Sequence, residues 1–420
     1  MSFTIKDVRI FDGEQVIENG YVIVRGSMIH DVGEGKPPQP IGTIYSKPGH
    51  TLLPGFIDAH NHSHYSYHPA LYQAIRFGVT TFMDLHNEYP SFTHLRKVSL
   101  EEPRSTSAYK CAGVAATIEN GWPIPVIVAH DKSPETQAEI DKWYPKLKNA
   151  QDAREFVRKN LADGADYIKL MHESGAAMGA DFPKPSMEIQ EALIDEAHRH
   201  GVVAICHSLA MADHIEILNA GVDGMAHTFF DQPPTEELVA AYKKNNAWLN
   251  PTLAAVGSLT AEGRELAEKF AHDPRVGEDL LGPEERQRMC QCLNFCKPTS
   301  KVEYAYESVR VLKKNGIDII CGSDSAKPAL GTAWGLSLHH ELYLFVHKCG
   351  FTPLEALKSA TSVVANCFRF YDRGMIKEGL RADLVLVEGD PTQDIDNTLN
   401  LRGVWREGML TTYYEGKLRP

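Results

Sequence analysis

Six side chains that could bind or bridge metal ions lie at the ends of short apolar runs. In chain order they are His60, His62, Lys169, His207, His227 and Asp324. The first two histidines are two residues apart, so on a strand both point to the same side. Imidazole nitrogens and carboxylate oxygens are ligands that zinc accepts. The set therefore suggests a two-metal hydrolytic site.

Each of these residues has an ordinary explanation when it is considered alone. A His-x-His pair often occurs by chance, and His207 and His227 could be satisfied histidines of a core or rim. Asp324 could simply be the N-cap of a turn. The joint pattern changes the interpretation, because five such residues at the ends of four strands are hard to produce by chance.

Lys169 completes the set. It lies in the apolar run Tyr-Ile-Lys-Leu-Met at residues 167–171, which predicts a buried strand. A buried ammonium is costly unless its charge is paired or chemically changed, and an ammonium cannot bind a metal. Reaction of the neutral amine with carbon dioxide gives a carbamate, whose two oxygens can bridge two cations. We favour this carbamate over a lysine that extends to solvent or pairs with Glu173.

The predicted elements explain how these residues could meet. From residue 52 to residue 370, strand-like and helix-like runs alternate, which favours parallel βα units in an α/β fold. Strands are predicted near 52–58, 78–84, 108–115, 166–171, 202–207, 223–227, 248–253 and 318–323. Helices are predicted near 151–163, 187–200, 210–220, 235–246, 303–315 and 336–349. Eight such units fit a (β/α)8 TIM-like barrel, whose active sites lie at the carboxyl ends of the strands.

Local signals mark the ends of several helices. Asp152, Ser186 and Thr235 are predicted N-caps. The glycines predicted to stop helices are Gly164, Gly201, Gly221 and Gly316. The stretch 256–302 is too long for an ordinary connection, so we expect a helical insertion near the barrel mouth. Its clustered cysteines are predicted to lie on a helix without binding metal, since no CxxC pair is present: Cys290, Cys292 and Cys296.

The two ends of the chain differ from its middle. Residues 1–51 and 371–420 contain short β-rich runs with turn signals and no helix-period pattern in the first segment. We expect both ends to form one small β-sandwich domain. The catalytic barrel of residues 52–370 would then be inserted between its halves.

Composition narrows the class of protein. At 420 residues and 43% hydrophobic content, the chain can bury a large core. A net charge of −12 argues against nucleic acid or an anionic membrane as the main partner. No apolar run is long enough to span a bilayer, and the N-terminus lacks the apolar stretch of a signal peptide. Eight cysteines without secretory features suggest a cytoplasmic protein with free thiols. A homo-oligomer is an open alternative to a monomer.

The ordered ligand set resembles the amidohydrolase superfamily, and three flanking motifs agree. They are Leu-Pro-Gly-Phe-Ile-Asp-Ala-His-Asn-His at 53–62, Gly-Val-Thr-Thr at 78–81 and Gly-x-Ile-x-x-Gly-x-x-Ala-Asp-Leu-Val at 374–385. Within the superfamily, the chain looks most similar to imidazolonepropionase-like amidohydrolases of the prolidase and ochratoxinase type. Those enzymes cleave the amide bond of N-acyl amino acids or X-Pro dipeptides with two metals and a carboxylated lysine.

The resemblance implies a role for each ligand. His60, His62 and Asp324 would bind the more buried of two divalent metal ions, for which Zn2+ is the simplest choice. N6-carboxylated Lys169 would bridge both ions. A metal-bound hydroxide would attack the carbonyl of a small-molecule amide, and Asp324 would pass its proton to the leaving amine. The more exposed ion would be bound by His207 and His227.

Substrate-side candidates are less specific. They are histidines that follow barrel strands, although any of them could be an ordinary solvated loop residue: His64, His86, His130 and His172. Residues 121–125, Gly-Trp-Pro-Ile-Pro, could form an aromatic lip, and Lys327 could bind a substrate carboxylate.

Three other functions were weighed against amide hydrolysis. Deaminases carry a His-x-x-Glu acid after strand 5, but here His207 is followed by Ser-Leu-Ala. A non-catalytic scaffold protein would be expected to have lost metal ligands. A metal-dependent decarboxylase would generally lack the bridging lysine and the flanking sheet domain. A hydrolase of lactams or other cyclic amides would use the same ligands, so the sequence does not separate it from an acyclic amidase.

Overall fold

The computed structural model describes residues 2–63, 67–327 and 329–419, apart from the side chains of residues 129 and 130. These residues form a mixed α/β fold. The strands are β1 (Ser2–Phe11), β2 (Val16–Arg25), β3 (Met28–Glu34), β4 (Thr43–Ser46), β5 (His50–Pro54), β6 (Phe56–Asn61), β7 (Val79–Asp84), β8 (Ala108–Cys111), β9 (Ile168–Met171), β10 (Ala204–His207), β11 (Gly224–Ala226), β12 (Trp248–Asn250), β13 (Leu384–Glu388), β14 (Leu401–Arg406) and β15 (Met409–Leu410).

All α-helices of the described residues lie between β6 and β13. They are α1 (Pro69–Arg76), α2 (Ser91–Glu101), α3 (Ile124–His130), α4 (Pro134–Trp143), α5 (Ala150–Ala162), α6 (Met187–Arg199), α7 (Met211–Asn219), α8 (Glu236–Lys244), α9 (Leu253–Leu259), α10 (Arg264–Ala271), α11 (Pro283–Met289), α12 (Val302–Lys314), α13 (Leu336–His347), α14 (Pro353–Ser359) and α15 (Ser362–Cys367). Two short 3-10 helices lie near the end of the chain, at Ile395–Leu399 and Thr412–Tyr414. In the described part of the chain, no helix is both long and apolar enough to cross a membrane.

One sheet combines strands from both ends of the chain. Its order is β15-β14-β13-β5-β1-β2-β3, and β4 also pairs with β1. β13 runs antiparallel to β5, with Leu384 opposite Pro54. Buried apolar side chains of β1, β2, β13 and β14 pack together, among them Ile5, Val22 and Trp405. The β-rich ends therefore meet in one sheet.

The predicted strand at 52–58 is wrong as a single element, because Gly55 divides it. β5 ends at Pro54 in the terminal sheet, whereas β6 begins at Phe56 in a different sheet. A Cβ atom on Gly55 would lie 2.2 Å from Thr80 Oγ1, so only glycine allows this close approach. All residues of both strands except His50 are buried, and periodicity cannot separate two buried apolar runs.

Two smaller parallel sheets carry the remaining strands, in the orders β6-β7-β8 and β12-β11-β10-β9. All residues of these strands except Lys110 of β8 are buried, which explains the nearly continuous apolar runs in the sequence. An isolated bridge joins Ala116, which follows β8, to Leu170 of β9, and another joins residue 319 to Leu249 of β12. A further bridge joins Asn61 of β6 to Ser325.

The predicted strand at 318–323 is wrong as a regular strand. The Ile320 N–H donates to Leu249 O (2.9 Å), and the Ala59 N–H donates to Cys321 O (3.1 Å). These contacts place the segment between β12 and β6 without a continuous ladder. A Cβ on Gly322 would lie 2.8 Å from the His60 backbone nitrogen, so the backbones approach unusually closely here. Closure of all these strands into a (β/α)8 barrel remains a prediction.

Helix ends follow the local signals with one exception. Ser186 and Thr235 are N-caps, as predicted, and accept the N–H groups of Ile189 and Leu238. Asn149 caps α5 in place of Asp152, and its side chain accepts the N–H groups of residues 151 and 152 (2.9 and 3.0 Å). Asparagine and aspartate cap equally well, so sequence alone does not choose between them. The four predicted stop glycines all have positive φ: Gly164, Gly201, Gly221 and Gly316.

The stretch 256–302 contains helices, as predicted: most of α9, together with α10 and α11, which make up less than half of its residues. Cys290 follows the last turn of α11, whereas Cys292 and Cys296 lie beyond the helix, so placing all three on one helix was wrong. All eight cysteines are free. Among the described residues, none of them joins a group of three candidate metal ligands.

Candidate metal centre

The parallel strands bring the predicted ligands to one region. His60 lies near the end of β6, Lys169 in β9 and His207 at the end of β10. His227 directly follows β11. Asp324 follows the bridged segment, and its backbone N–H donates to the carbonyl of His60 (2.8 Å). Adjacent parallel strands thus bring together predicted ligands that are far apart in sequence.

Three of these residues form a compact group of ligand atoms. Asp324 Oδ1 lies 3.3 Å from His60 Nε2 and 3.1 Å from His62 Nε2. Two atoms that each lie about 2.0–2.1 Å from a tetrahedral zinc ion are about 3.3 Å apart. Both ring nitrogens of His60 are buried and have no hydrogen-bond partner among the described residues. Such nitrogens are costly unless a ligand binds them, so His60, His62 and Asp324 fit a metal ion.

The other two histidines lie beside this group. The ring of His227 is centred 4.8 Å from that of His60 and 4.8 Å from that of His207. His227 Nδ1 lies 3.7 Å from Asp324 Oδ2. His207 Nε2 is also buried without a hydrogen-bond partner in the described part of the chain. The structure therefore brings all four histidines and the aspartate together.

Lys169 is buried, with 1% of its surface exposed. Burial lowers the pKa of Lys169 to about 8, although the charge of Asp324 opposes this shift. No carboxylate oxygen of the described residues lies within 4.0 Å of its Nζ, and Glu173 contacts His207 instead (3.3 Å). A solvent-extended lysine and a pair with Glu173, the two alternatives to the carbamate, are therefore both wrong.

Electrostatics at the centre favour metal-binding protonation states. Burial, assisted by the charge of Lys169, holds the pKa of His60 and that of His207 well below the ordinary value. Burial does the same for the pKa of His227 against the opposing charge of Asp324. Burial would raise the pKa of Asp324, but the neighbouring His227 and His62 outweigh it and lower that pKa. At neutral pH the imidazoles of His60, His207 and His227 therefore present lone pairs, and Asp324 is an anion.

The carboxylate of Asp58 anchors the segment that carries Asp324. Asp58 of β6 accepts the N–H of Ser323 (2.9 Å) and its hydroxyl (2.7 Å). Burial raises the pKa of Asp58 to about 6, while the bonds from Ser323 oppose the shift. Asp58 thus links the two segments that supply His60, His62 and Asp324. The sequence motif contained Asp58, but nothing in it indicated this partner.

A second set of supporting contacts fixes His227. Its Nδ1 lies 2.6 Å from Thr252 Oγ1, so a proton on Nδ1 leaves the Nε2 lone pair for a metal. Thr252 has a φ of 49°, which is unfavourable for a β-branched residue. Glu341 of α13 holds this turn by accepting the N–H groups of residues 253 and 254 (2.7 and 2.9 Å). Sequence reasoning missed Thr252 and Glu341, since neither lies near a ligand in the chain.

Removing the Thr252 hydroxyl should weaken metal binding without removing a ligand. Thr252→Val keeps the β-branched shape but leaves Nδ1 of His227 without its partner. Outer-shell partners of this kind contribute about 10–100-fold to metal affinity. We expect a loss in that range when zinc binding is measured by competition with a chromophoric chelator. Thr260→Val is the control and should keep normal affinity. It also removes a buried threonine hydroxyl, but that hydroxyl donates to the carbonyl of Val256 in α9 and not to a histidine. Equal affinities in both variants would contradict the assigned role.

The substrate-side candidates have different surroundings. His86 accepts the N–H of Ala115 at Nδ1 (3.0 Å), and its ring is stacked 5.1 Å from that of Tyr144. His172 is hydrogen-bonded to Glu216 (2.9 Å) and Gln190 (3.2 Å) rather than to the metal-ligand group. His64 and the side chain of His130 lie outside the described residues.

His172, Asp213 and Glu216 form a second group of potential ligand atoms. Lys184 already neutralises its two carboxylates, at 2.7 Å from Asp213 and 2.6 Å from Glu216. This group is therefore an ion-pair network within the fold.

Trp122 and Lys327, which were predicted to lie near the substrate, each contact a specific neighbour in the structure. Trp122 stacks on the ring of His207, with centroids 5.1 Å apart and planes inclined by 17°. Trp122, in the aromatic lip predicted at 121–125, thus contacts one of the histidines predicted to bind metal. Lys327 lies 3.2 Å from Glu284 and over the ring of Tyr67, at 5.1 Å from its centroid. Its ammonium is paired within the protein.

Comparison with known proteins gives both sequence and structural relatives. Ochratoxinase from Aspergillus niger is 25% identical over 269 residues, which cover 62% of this chain and 49% of that protein. The chain thus spans about half the length of this curated relative. An imidazolonepropionase from Pyrobaculum arsenaticum is 35% identical over 104 residues, 19% of this chain and 26% of that enzyme.

Solved structures match over a larger part of the chain. The crystal structure of a Xaa-Pro dipeptidase with bound methionine aligns with a TM-score of 0.76 and 21% identity, covering 98% of this chain and 99% of the other. The A. niger ochratoxinase structure aligns with a TM-score of 0.72 and 19% identity, covering 97% and 95%. At these identities the likeness establishes a shared mixed α/β fold. A sequence model of the Amidohydrolase family matches residues 51–418. Since this match spans most of the chain, the protein belongs to the Amidohydrolase family.

Proposed function

We propose that this protein is a binuclear metal-dependent amidohydrolase. It cleaves the amide (C–N) bond of a small N-acyl amino acid, X-Pro dipeptide or similar amide. The observation that carries the proposal is the convergence of His60, His62, His207, His227 and Asp324. Within it, the ring nitrogens of His60 and Nε2 of His207 are buried and have no hydrogen-bond partner among the described residues. Family membership and the relatives named ochratoxinase and Xaa-Pro dipeptidase support the same reaction class.

The proposed site divides the ligands between two divalent ions, for which zinc is the simplest choice. His60, His62 and Asp324 hold the first ion, and His207 and His227 hold the second. Carboxylated Lys169 supplies the anion between them. We further propose that residues 52–370 close into one (β/α)8 barrel around this site. Residues 1–51 and 371–420 form the flanking β-sandwich domain.

The protein's own side chains then have separate tasks. A zinc ion held by these residues would supply Lewis-acid chemistry, since zinc in proteins lowers the pKa of a water ligand to ~7 and polarises a carbonyl. Asp324 accepts a proton at its carboxylate and returns it to the leaving amine, acting as base and then as acid. Its lowered pKa keeps it anionic before the reaction begins. The Thr252 hydroxyl keeps the proton of His227 on Nδ1. The Trp122 ring covers one face of the His207 ring and shields it from water.

A hydrolysis screen tests the proposed function. Purified protein with measured metal content is incubated with N-acyl amino acids, X-Pro dipeptides and cyclic amides, and the released amine is quantified. We expect hydrolysis of acyclic amides that stops when a chelator is added. Hydrolysis of cyclic amides alone would assign the alternative substrate class. No amide cleavage by protein that contains two metals per chain would reject the proposal.

Carboxylation of Lys169 should depend on pH in a defined direction. Burial lowers the pKa of this lysine to about 8, and only the neutral amine reacts with carbon dioxide. The neutral fraction rises roughly tenfold between pH 7 and pH 9 for such a group. At constant dissolved carbon dioxide, metal-free protein should therefore acquire its second zinc ion faster as the pH rises through about 8. The imidazoles should add little to this change, because their pKa values already lie well below neutrality. Uptake at the same rate at both pH values would contradict the carbamate.

A further inference from the structure

Arg288 is a largely buried cation whose capacity to donate hydrogen bonds is mostly unused. It lies near the end of α11, and 15% of its side-chain surface is exposed. Its Nε and Nη1 are buried and have no hydrogen-bond partner among the described residues. Its Nη2 lies 3.8 Å from Glu285 Oε1, which is too long for a hydrogen bond. Buried N–H groups of a charged side chain are costly without a partner, so a bound anion would account for this arrangement.

A second polar group beside Arg288 is also unsatisfied. The N–H of Gly331 donates to the carbonyl of Arg288 (3.0 Å), which brings the next residue, Thr332, close to the end of α11. Thr332 is 4% exposed, and its hydroxyl has no hydrogen-bond partner within the described ranges 2–63, 67–327 and 329–419. The hydroxyl and the guanidinium therefore do not satisfy each other, although their backbone segments are bonded. A carboxylate accepts hydrogen bonds from both kinds of group.

The segment that carries Thr332 connects α11 to the candidate metal centre. Two residues further along, Trp334 Nε1 donates to the carbonyls of His62 (3.3 Å) and Ser325 (3.1 Å). Residues 331–334 thus bond to the end of α11 on one side and to the backbone of a proposed metal ligand on the other. The unsatisfied groups therefore lie on a segment that packs against the first proposed metal site.

Lys327, the other cation of this region, is already paired. It lies 3.2 Å from Glu284, one turn before Arg288 on α11. The bond with Glu284 raises the pKa of Lys327, while the charge of Arg288 opposes this shift, so the two cations are close in space. Glu284 neutralises Lys327, whereas two nitrogens of Arg288 have no hydrogen-bond partner among the described residues. Binding of a substrate carboxylate, which the sequence suggested for Lys327, therefore suits Arg288 better.

We propose that Arg288 binds the carboxylate of the substrate, with the Thr332 hydroxyl as a second donor. The inference rests on the proposed amide hydrolysis and narrows its substrates to amides with a free carboxylate on the amine side of the scissile bond. N-acyl amino acids and dipeptides share this group, whereas neutral amides lack it. A guanidinium suits the role, because its N–H groups donate from a fixed plane that matches the geometry of a carboxylate.

A matched pair of substrates tests the assignment in the zinc-loaded enzyme. One is N-acetylphenylalanine, and the other is N-acetylphenethylamine, which lacks only the carboxylate. In the wild type, kcat/KM should be about 10–100-fold higher for the acid, the usual contribution of a hydrogen bond to a charged group. Arg288→Met keeps an apolar stem but removes the charge and the donors, so it should lose most of this preference, chiefly through a higher KM for the acid. Arg264→Met, the same change at an exposed arginine of α10, should keep the preference.

Thermal unfolding separates a ligand-binding arginine from a structural one. Without ligand, Arg288→Met should have an unchanged or higher Tm, because the variant removes buried N–H groups that have no partner among the described residues. A Tm that falls by several degrees would assign Arg288 a structural role and overturn the proposal. Equal kcat/KM of the wild type for the two substrates, or an unchanged preference in Arg288→Met, would overturn it as well.

Binding of a stable analogue separates this inference from the proposed function. The analogue is N-ethylphenylalanine, in which CH2 replaces the amide carbonyl, and calorimetry measures its Kd with zinc-loaded protein. We expect about 10–100-fold weaker binding to Arg288→Met and wild-type affinity in Arg264→Met. That difference without amide cleavage by the wild type would reject only the function. Amide cleavage with equal affinity in both variants would reject only the role of Arg288.

A crystal structure of the wild type with this analogue covers the case in which Arg288→Met does not fold. A carboxylate oxygen should lie about 2.7–3.0 Å from Nε or Nη1 of Arg288. Water molecules alone at these nitrogens, with the carboxylate bound elsewhere, would overturn the proposal.

Discussion

Asp324→Asn should lower kcat by at least ~10²-fold even when zinc is supplied in excess. The variant keeps the size of the side chain but removes its charge and its capacity to accept a proton. Asp324 Oδ1 is within 3.3 Å of two imidazole nitrogens, so a weakened first metal adds to the loss. Steady-state kinetics on the most active amide, with metal content measured in the same samples, check this expectation.

Asp318→Asn is the matched control for this variant. Asp318 lies on the same segment, but its side chain is exposed, so kcat should remain close to that of the wild type. Near-normal kcat in Asp324→Asn with two bound metals would assign proton transfer to another residue. His86 would then be the next candidate, because His172 is bonded to Glu216 and Gln190.

Lys169→Ala should lose the second metal ion and most of the activity. Two cations at short range repel each other, and the bridging anion offsets that repulsion. Truncation leaves a space that a small carboxylate can enter. Acetate or formate added together with zinc should therefore restore part of both metal content and rate. The measurement is metal bound per chain and kcat as functions of acetate concentration.

Lys169→Arg distinguishes a missing anion from a missing side chain. Its fixed cation occupies the space where the anion must bind, so acetate should not restore activity. Lys110→Ala removes a lysine from the neighbouring strand β8 that pairs with Asp166, and it should keep two metals. If Lys169→Ala bound two metals and retained the wild-type rate without added acid, Lys169 would be a structural lysine.

The positions of the proposed ligands could be predicted because each one ends or lies in a recognisable apolar run. Parallel strands place such ends at one edge of a sheet, so His207 and His227 could be expected near His60 before any distance was known. Sheet boundaries were harder to predict. Gly55 separates two buried runs of the same composition, and the segment at 318–323 pairs only through isolated contacts.

The supporting residues could not be predicted from sequence for a physical reason. Glu341 acts on a turn 87–88 residues away in the chain, and Thr252 contacts a histidine 25 residues away. No local sequence pattern predicts these contacts, because they form only when separate elements of the chain pack together. Glu173 was considered only as a partner for Lys169, whereas in the fold its carboxylate faces His207.

Zinc titration of metal-free wild-type protein tests the two-metal account most directly. Bound metal per chain and the rate of amide hydrolysis are measured in the same samples, in the presence of bicarbonate. The account predicts that activity rises until two ions are bound per chain and then levels off. Thermal stability should rise with metal content, because bound ions favour the folded state. Full activity at one ion per chain, or hydrolysis that persists in excess chelator, would contradict it.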